Sequence, residues 1–261
     1  MNNNRNVDPE RLDIALVRRG LVETRERARQ LIKAGCVQVR DRIATKPALK
    51  VHEQDSIILL EQLRYVGRGG LKLEAALDHF LVNVNGITAL DVGASTGGFT
   101  DCLLQHGASS VYAVDVGHNQ LSPKIKDDPR VTVFEHTDIR KLERLPQPVD
   151  LAVIDVSFIS LRLVLPVVIG FLKPGSGRII ALIKPQFEAG PHCVNKKGII
   201  KNESIRERTV QELLQWIEGQ GWTVLNCIPS PILGGEGNME YLAYFLTDPF
   251  TISREEKCKL L

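Results

Sequence analysis

Between residues 9 and 35 the apolar side chains recur three and four positions apart, the spacing of a helix face, and from Val37 they alternate. Asp8-Pro9 predicts an N-cap followed by Pro in the first helical position, with Leu12, Ala15 and Leu16 facing a core and Gly20 stopping the helix. Thr24 predicts the cap of a second helix, whose buried face is Ala28, Leu31 and Ile32 and whose end is Gly35. Val37 to Val39 reads as a strand, Arg40-Asp41-Arg42 as a turn, and Val51 to Leu60 as a second extended stretch. Leu63-Arg64-Tyr65-Val66 reads as a linker. Beyond it, apolar strands at 87–92, 111–116, 131–135, 149–156 and 178–184 alternate with helices at 99–106, 161–172 and 204–218. Two late strands, 223–228 and 241–247, close the chain, and no internal repeat is visible. The alternation predicts an α/β domain with a doubly wound, mostly parallel sheet that binds ligands at the carboxyl ends of its strands. The expected boundaries are a small α+β domain over residues 1–62, a linker over 63–68 and the large domain over 69–261.

Composition adds two points. An apolar content of 43% suffices for a proper core, and the longest uncharged apolar run, Leu163 to Leu172, contains Pro166 and spans half a bilayer at best. With a polar start and no apolar signal region, the expectation is a cytoplasmic protein without a membrane role. Cys36, Cys102, Cys193, Cys227 and Cys258 form no CxxC pair, which suits reduced thiols, and no metal site is expected; His192-Cys193 is a loop coincidence. Net charge is +2, but the segment from Arg11 to Lys50 holds eleven Lys/Arg against four Asp/Glu, leaving the rest of the chain acidic. Arg25, Arg29 and Lys33 fall at i, i+4 and i+8 on one helix face, a row of cations able to follow phosphates.

Arg11-Leu12-Asp13, Gly20, Arg25-Glu26-Arg27-Ala28, Ile32, Gly35 to Val39, Pro47 and Asp55 resemble the RNA-binding module shared by a small-subunit ribosomal protein and many pseudouridine synthases. That resemblance, over about residues 9–62, implies recognition of structured RNA by shape and backbone. The candidate RNA contacts are Arg18, Arg19, Arg25, Arg27, Arg29 and Lys33, joined by Arg68 and by Lys196 and Lys197. The last two lie in a segment, Glu188 to Lys201, expected to be a mobile basic loop over the site.

The sharpest local signal runs from Asp91 to Asp101: an apolar strand ending in an acid, then Gly93, Ala94, Ser95, Gly97 and Gly98, then a helix opening with Phe99. Glycine there lets backbone approach a ligand where a Cβ would clash. Asp115, 24 residues on and at the end of the next strand, is placed to hydrogen-bond a ribose diol. Neither the dinucleotide G-x-G-x-x-G nor the phosphate-cradling G-x-x-x-x-G-K is present. The run resembles instead the cofactor loop of class I methyltransferases of Rossmann type, in particular the FtsJ-like RNA ribose methyltransferases with Asp-x-Gly-Ala-x-x-Gly-Gly. The cofactor implied is S-adenosyl-L-methionine, with Asp138, after the third strand, near its adenine.

The resemblance extends over roughly residues 9–247 to the TlyA (hemolysin A) family, whose members methylate cytidine 2′-hydroxyls of ribosomal RNA. It rests on Arg68-Gly69-Gly70-Leu71-Lys72-Leu73, Asp91 to Phe99, Asp155 to Ser160, Ile183 to Glu188 and Gly237 to Tyr241. Members commonly show Tyr-Val-Ser-Arg-Gly-Gly where this chain has Tyr65-Val66-Gly67-Arg68. The family's Lys-Asp-Lys-Glu tetrad maps onto Lys72, Asp155, Lys184 and Glu240. A sulfonium is already a strong electrophile, so the protein mainly aligns the ribose oxygen, and positioning can contribute up to roughly 7–11 kcal/mol. A ribose hydroxyl is a poor acid, so a lysine must take its proton or stabilise the alkoxide; Lys184 suits that role, with Lys72 as a second cation and Asp155 and Glu240 holding the ammonium groups. Read alone, Lys72 would be a solvated helix residue. The partners expected are ribosomal RNA and ribosomal subunits. Asp155-Val156-Ser157-Phe158 lacks the prolines of amino-directed base methylation, and no cysteine is placed for carbon methylation. A non-catalytic RNA-binding or assembly factor, or a membrane-active hemolysin, is the rival reading, while a pseudouridine synthase leaves the glycine loop unexplained.

Overall fold

The computed structural model describes residues 9–33, 35–40, 42–59, 64–175, 177–234 and 237–247. The chain forms two compact units, Met1–Arg68 and Gly69–Leu261. In the first, β1 (Glu10–Arg11) leads directly into α1 (Leu12–Arg18), followed by α2 (Arg25–Lys33), β2 (Val37–Val39), β3 (Arg42–Ile43), β4 (Lys50–Val51) and β5 (Ile57–Leu59). β1 pairs with β4, and β3, β2 and β5 make a three-stranded sheet in that order. Leu12, Ala15 and Leu16 of α1 and Ala28, Leu31 and Ile32 of α2 form one core with Val37, Val39 and Val51. Thr24 caps α2 through its Oγ, which accepts the Arg27 N–H at 3.1 Å. Gly20 and Gly35 follow the two helices with φ of 67° and 74°, backbone that glycine adopts without strain.

Two sequence expectations are corrected here. Asp8 lies outside the described residues and Pro9 does not open α1: the strand pairing of Glu10 with Val51 takes the residues between, and the helix starts at Leu12. The stretch from Val51 is not one strand, because Asp55 accepts the His52 N–H at 2.8 Å and folds 52–56 into a turn before β5. Tyr65 is only 2% exposed, so the segment read as a linker buries its aromatic side chain.

The second unit begins with α3 (Gly69–His79), a helix not expected from the apolar pattern; Leu73, Ala76 and Leu77 are its buried stripe. Then come β6 (Thr88–Val92), α4 (Gly98–Gln105), β7 (Ser110–Val114), α5 (Pro123–Lys126), β8 (Val131–Phe134), β9 (Leu151–Ile154), α6 (Leu161–Ile169), β10 (Arg178–Ile183), α7 (Pro185–Glu188), α8 (Glu203–Gly219), β11 (Thr223–Pro229) and β12 (Tyr241–Leu246). The sheet order is β11-β12-β10-β9-β6-β7-β8, a mostly parallel, Rossmann-like sheet in which β12 runs antiparallel to both its neighbours. Residues of β6, β9 and β10 are buried on both faces, as a sheet covered by helices requires. From β6 the chain winds outward through β7 and β8, then returns to β9 on the other side of β6. Connections therefore diverge between β6 and β9, and the crevice at their carboxyl ends is where such sheets bind ligands.

Candidate active site

β6 delivers the glycine loop to that crevice. Gly93 takes φ of 86°, and a Cβ on it would lie 2.5 Å from the carbonyl oxygen of Asp155, so only glycine lets this turn press against the end of β9. Asp115, just past β7, organises both neighbouring loops: its two oxygens accept the Ser95 N–H at 2.7 Å and the Gly117 N–H at 2.6 Å. A cavity of about 930 Å³ opens here, lined by Gly93, Ser95, Asp115, Asp138, Asp155 and Phe158 among others. A smaller recess of about 90 Å³ continues under the loop between Gly69, Ala94, Gly98 and Phe99. Apolar Val116, Ile139, Val156 and Leu163 also face the cavity, suiting it to an adenine ring, with the Asp115 carboxylate available to a ribose diol.

Three of the cofactor positions expected from sequence need qualification. Asp91 does not reach the cavity. It is fully buried, its Oδ2 accepts the Thr100 hydroxyl at 2.6 Å, and its Oδ1 has no partner. Gly97 turns the chain into α4 against Ile125 and lines neither space. Asp138 does line the cavity, but Arg140 grips it at 2.7 Å and its oxygen also caps the following turn, Ile139–Lys141.

Burial pushes the Asp91 carboxyl up to about 7, opposed by the Thr100 hydroxyl and reinforced by the negative charges of Asp155 and Asp115. An unfolded aspartate loses its proton near pH 4, about three units lower, so between those values the folded chain holds a proton that the unfolded chain has released. This group's contribution to stability accordingly declines from about pH 4 to 7 and is level above. Asp91→Asn is expected to flatten that decline, which thermal melts of both proteins at pH 5 and pH 8 will show; parallel pH dependences would refute it.

The four polar residues gathered from separate motifs meet at one edge of the sheet. Asp155 follows the last residue of β9, Lys184 follows the last residue of β10, and Glu240 precedes the first residue of β12. Because Ile183 lies opposite Tyr241 in the antiparallel pair, Lys184 and Glu240 emerge side by side. They form two ion pairs: Lys72 Nζ with Glu240 Oε2 at 2.5 Å, and Lys184 Nζ with Asp155 Oδ1 at 2.6 Å. Lys72 is 8% exposed, so it is not the solvated helix residue its local sequence suggests. Taking two charges from water is costly unless they meet each other, and here both lysines have a carboxylate. Gly234 packs so close to Glu240 that a Cβ there would collide with the carboxylate.

Sequence reasoning assigned no role to two residues that the geometry brings in. Ser157 Oγ accepts a hydrogen bond from Lys184 Nζ at 2.8 Å. Phe158 adopts a left-handed φ of 64°, is 90% exposed beside the cavity, and meets Phe187 with ring centroids 5.0 Å apart. A bulky residue holding such a backbone conformation in the open marks a site rather than a core. Both stand in the stretch that carries Asp155, but nothing in residue type or spacing says which way they turn. Glu188, in the same region, caps α6 by accepting the Leu161 N–H at 2.7 Å and the Ser160 hydroxyl at 2.6 Å.

The basic row on α2 is arranged differently from the expectation. Asp13, fully buried, draws in Arg11 at 2.8 Å, Arg25 at 3.0 Å and Arg29 at 3.3 Å. The Arg11 guanidinium, helped by the other two, holds the Asp13 carboxyl far below the usual carboxylate range. Arg18 pairs with Glu10 at 2.6 Å, and Arg19 donates to the carbonyls of His52, Glu53 and Asp55. Arg27 and Lys33 are exposed and Arg68 is half-buried. Of the six arginines and lysines singled out in and beside this unit's helices, Arg18, Arg25, Arg27 and Lys33 are exposed and Arg19 and Arg29 half-buried, while Arg25 and Arg29 also brace α2 against α1. Lys196 and Lys197 are exposed in a turn built on Asn195, and the end of that segment is tied down where Asn238 bonds the Gly198 carbonyl and the Ile200 N–H. The loop expected to be mobile is therefore anchored to the strand end that carries Glu240.

Among the described residues no helix is long and apolar enough to cross a membrane, and no cluster of three His, Cys, Asp or Glu side chains could hold a metal. Residues 65–246 match the FtsJ-like methyltransferase family, and residues 10–57 match the S4 domain. The chain is 46% identical over 244 residues to YqxC of Bacillus subtilis, provisionally named an rRNA methyltransferase, covering 90% of this chain and 85% of the relative. It is 41% identical over 241 residues to the 16S/23S rRNA (cytidine-2′-O)-methyltransferase TlyA of Mycobacterium tuberculosis, covering 91% of this chain and 90% of that one. A solved Streptococcus thermophilus protein with a provisional hemolysin name superposes with a TM-score of 0.72 at 40% identity, covering 97% of this chain and 96% of that chain. With the glycine loop, the two lysine–carboxylate pairs and an S4 domain all in one chain, this protein belongs to the FtsJ-like methyltransferase family and is a relative of TlyA.

Proposed function

We propose that this protein transfers the methyl group of S-adenosylmethionine to the ribose 2′-hydroxyl of cytidine in ribosomal RNA. The observation that carries the reading is Lys184, buried at the end of β10 and in contact with Asp155 and Ser157, both of which line the cavity beside the glycine loop. The cofactor, when bound, supplies an activated methyl carbon on a sulfonium. Gly93 and Ser95 would let the backbone approach it, the recess by Gly98 and Phe99 would take its amino-acid end, and Asp115 would accept from its ribose hydroxyls. Asp155 would aim Lys184 Nζ at the nucleotide's 2′-oxygen, and Nζ, as the neutral amine left once its ammonium has given up a proton, would take the hydroxyl proton as that oxygen displaces the methyl group from its sulfur. Lys72 and Glu240 pair at the same end of the sheet, so neither buried charge is left without a partner beside the reacting oxygen. Phe158 offers an exposed ring on which a nucleobase turned out of its stack can lie. The first unit's arginines hold RNA through its backbone, and binding should weaken with salt.

The test is to incubate the protein with methyl-labelled S-adenosylmethionine and unmodified ribosomal subunits, then locate the label. Label on a cytidine ribose is expected. Label on a base, or none despite demonstrated cofactor binding, would overturn the assignment, the second outcome in favour of an RNA-binding or assembly role.

A further inference from the structure

Ser157 stands in the site without a role in the reaction as derived so far. A lysine ammonium has three N–H donors and no acceptor, and its long side chain is held in one direction only when those donors are occupied. Lys184 Nζ forms an ion pair with Asp155 Oδ1 at 2.6 Å and donates to Ser157 Oγ at 2.8 Å, and what these two contacts leave of Nζ is left for the substrate. The hydroxyl of Ser157 accepts this bond and still has its own O–H to give. Ser157 is exposed between Asp155 and Phe158 on the wall of the cavity, so its O–H is within reach of a nucleotide laid against Phe158. Its backbone is not free to drift: Asp155, two residues earlier, donates its N–H to the Val92 carbonyl at 2.9 Å, and Ser160, three later, caps α6 through the Arg162 N–H.

We infer that Ser157 is a positioning residue for the methyl transfer, fixing the direction of Lys184 Nζ while donating its own O–H to a ribose oxygen of the target nucleotide. The inference rests on the proposed function and deepens it: the site reads the sugar through a hydroxyl as well as through a lysine. Asp155 alone would leave Nζ able to swing about one ion pair; Asp155 and Ser157 together triangulate it. Serine and threonine share the hydroxyl, so threonine can replace it in this role whereas alanine cannot.

The experiment compares wild type, Ser157→Ala, Ser157→Thr and Lys184→Ala, reading kcat and KM for ribosomal RNA methylation, cofactor affinity by calorimetry, and melting temperature. Ser157→Ala is expected to lower kcat roughly five- to twentyfold, the loss of one or two hydrogen bonds made at the transition state. Cofactor affinity and melting temperature should stay near wild type, and Ser157→Thr should recover most of the rate. A Ser157→Ala rate within twofold of wild type, a loss confined to KM or to cofactor affinity, or a threonine variant as slow as alanine would overturn the inference alone. Absence of methyl transfer by the wild-type protein itself would overturn both the function and this inference with it.

Discussion

Replacing Lys184 by alanine is expected to lower kcat for methyl transfer by roughly 10² to 10⁴-fold, the range for removal of a positioned proton acceptor, with cofactor affinity changed no more than about threefold. The asymmetry follows from where Nζ sits. It lies at the end of β10 against Asp155 and Ser157, whereas the glycine loop, Asp115 and the apolar lining belong to other strand ends. The truncation also leaves the Asp155 carboxylate without its cation beside an oxygen that must become more negative, which opposes the reaction further. Lys184→Arg separates the two contributions. A guanidinium keeps the charge and can pair with Asp155, but it does not give up a proton in proteins. If Lys184 takes the hydroxyl proton, arginine is nearly as slow as alanine; if its charge alone matters, arginine recovers much of the rate. Single-turnover measurement with labelled cofactor reads this directly, and a Lys184→Ala enzyme of undiminished rate would remove the residue from the mechanism.

A second large effect is expected far from the chemistry. Asp13→Asn, a change of almost no volume, should destabilise the first unit by roughly 2–4 kcal/mol, since breaking a buried ion-pair network strands the partners left behind. The figure is placed low in the range for buried pairs because Arg11, Arg25 and Arg29 remain 37%, 49% and 43% exposed and water can take up part of their charge. Without the carboxylate, three guanidinium groups converge on a neutral amide and α2 loses its brace to α1. RNA affinity should fall even though the net charge rises by one, the reverse of what simple charge attraction gives. Chemical denaturation of the unit and an RNA-binding titration at two salt concentrations check both statements; tighter binding by the variant would show that the arginines act as independent charges. The same geometry sets an acid limit. The Asp13 carboxyl is held far down by its arginines, so its stabilisation is complete above the ordinary aspartate value near pH 4 and drains away as pH falls below it.

Much of the architecture was legible along the chain because it follows from local rules. The strands of the large sheet were visible along the chain, and the central ones β6, β9 and β10 stood out as apolar runs, since strands covered on both faces must be apolar throughout. The helix stops at Gly20 and Gly35 and the cap at Thr24 depend on backbone chemistry within a few residues. Where reading failed, a distant residue had intervened. Pro9 could not open α1 because Val51, forty residues on, pairs with Glu10. α3 is hidden in the sequence because two glycines open it and its buried stripe has meaning only once α4 packs beside it. Of the site, the glycine loop and the tetrad could be named from motifs, but Asp91 was placed in contact with a cofactor when the fold buries it behind the loop.

The sequence by itself determined which residues could do chemistry and which elements would carry them: period and glycine placement act within a turn or a strand, and both are written in neighbouring residues. Only the tertiary structure decided how those residues pair. That Lys72 meets Glu240 across 168 positions of chain while Lys184 meets Asp155 and Ser157 depends on strand order and on the antiparallel entry of β12, and that Asp13 gathers three arginines depends on how α1 and α2 pack in the first unit. Ion pairs and hydrogen bonds act over a few ångströms, so they are set by which strand ends come side by side, and no local pattern specifies that.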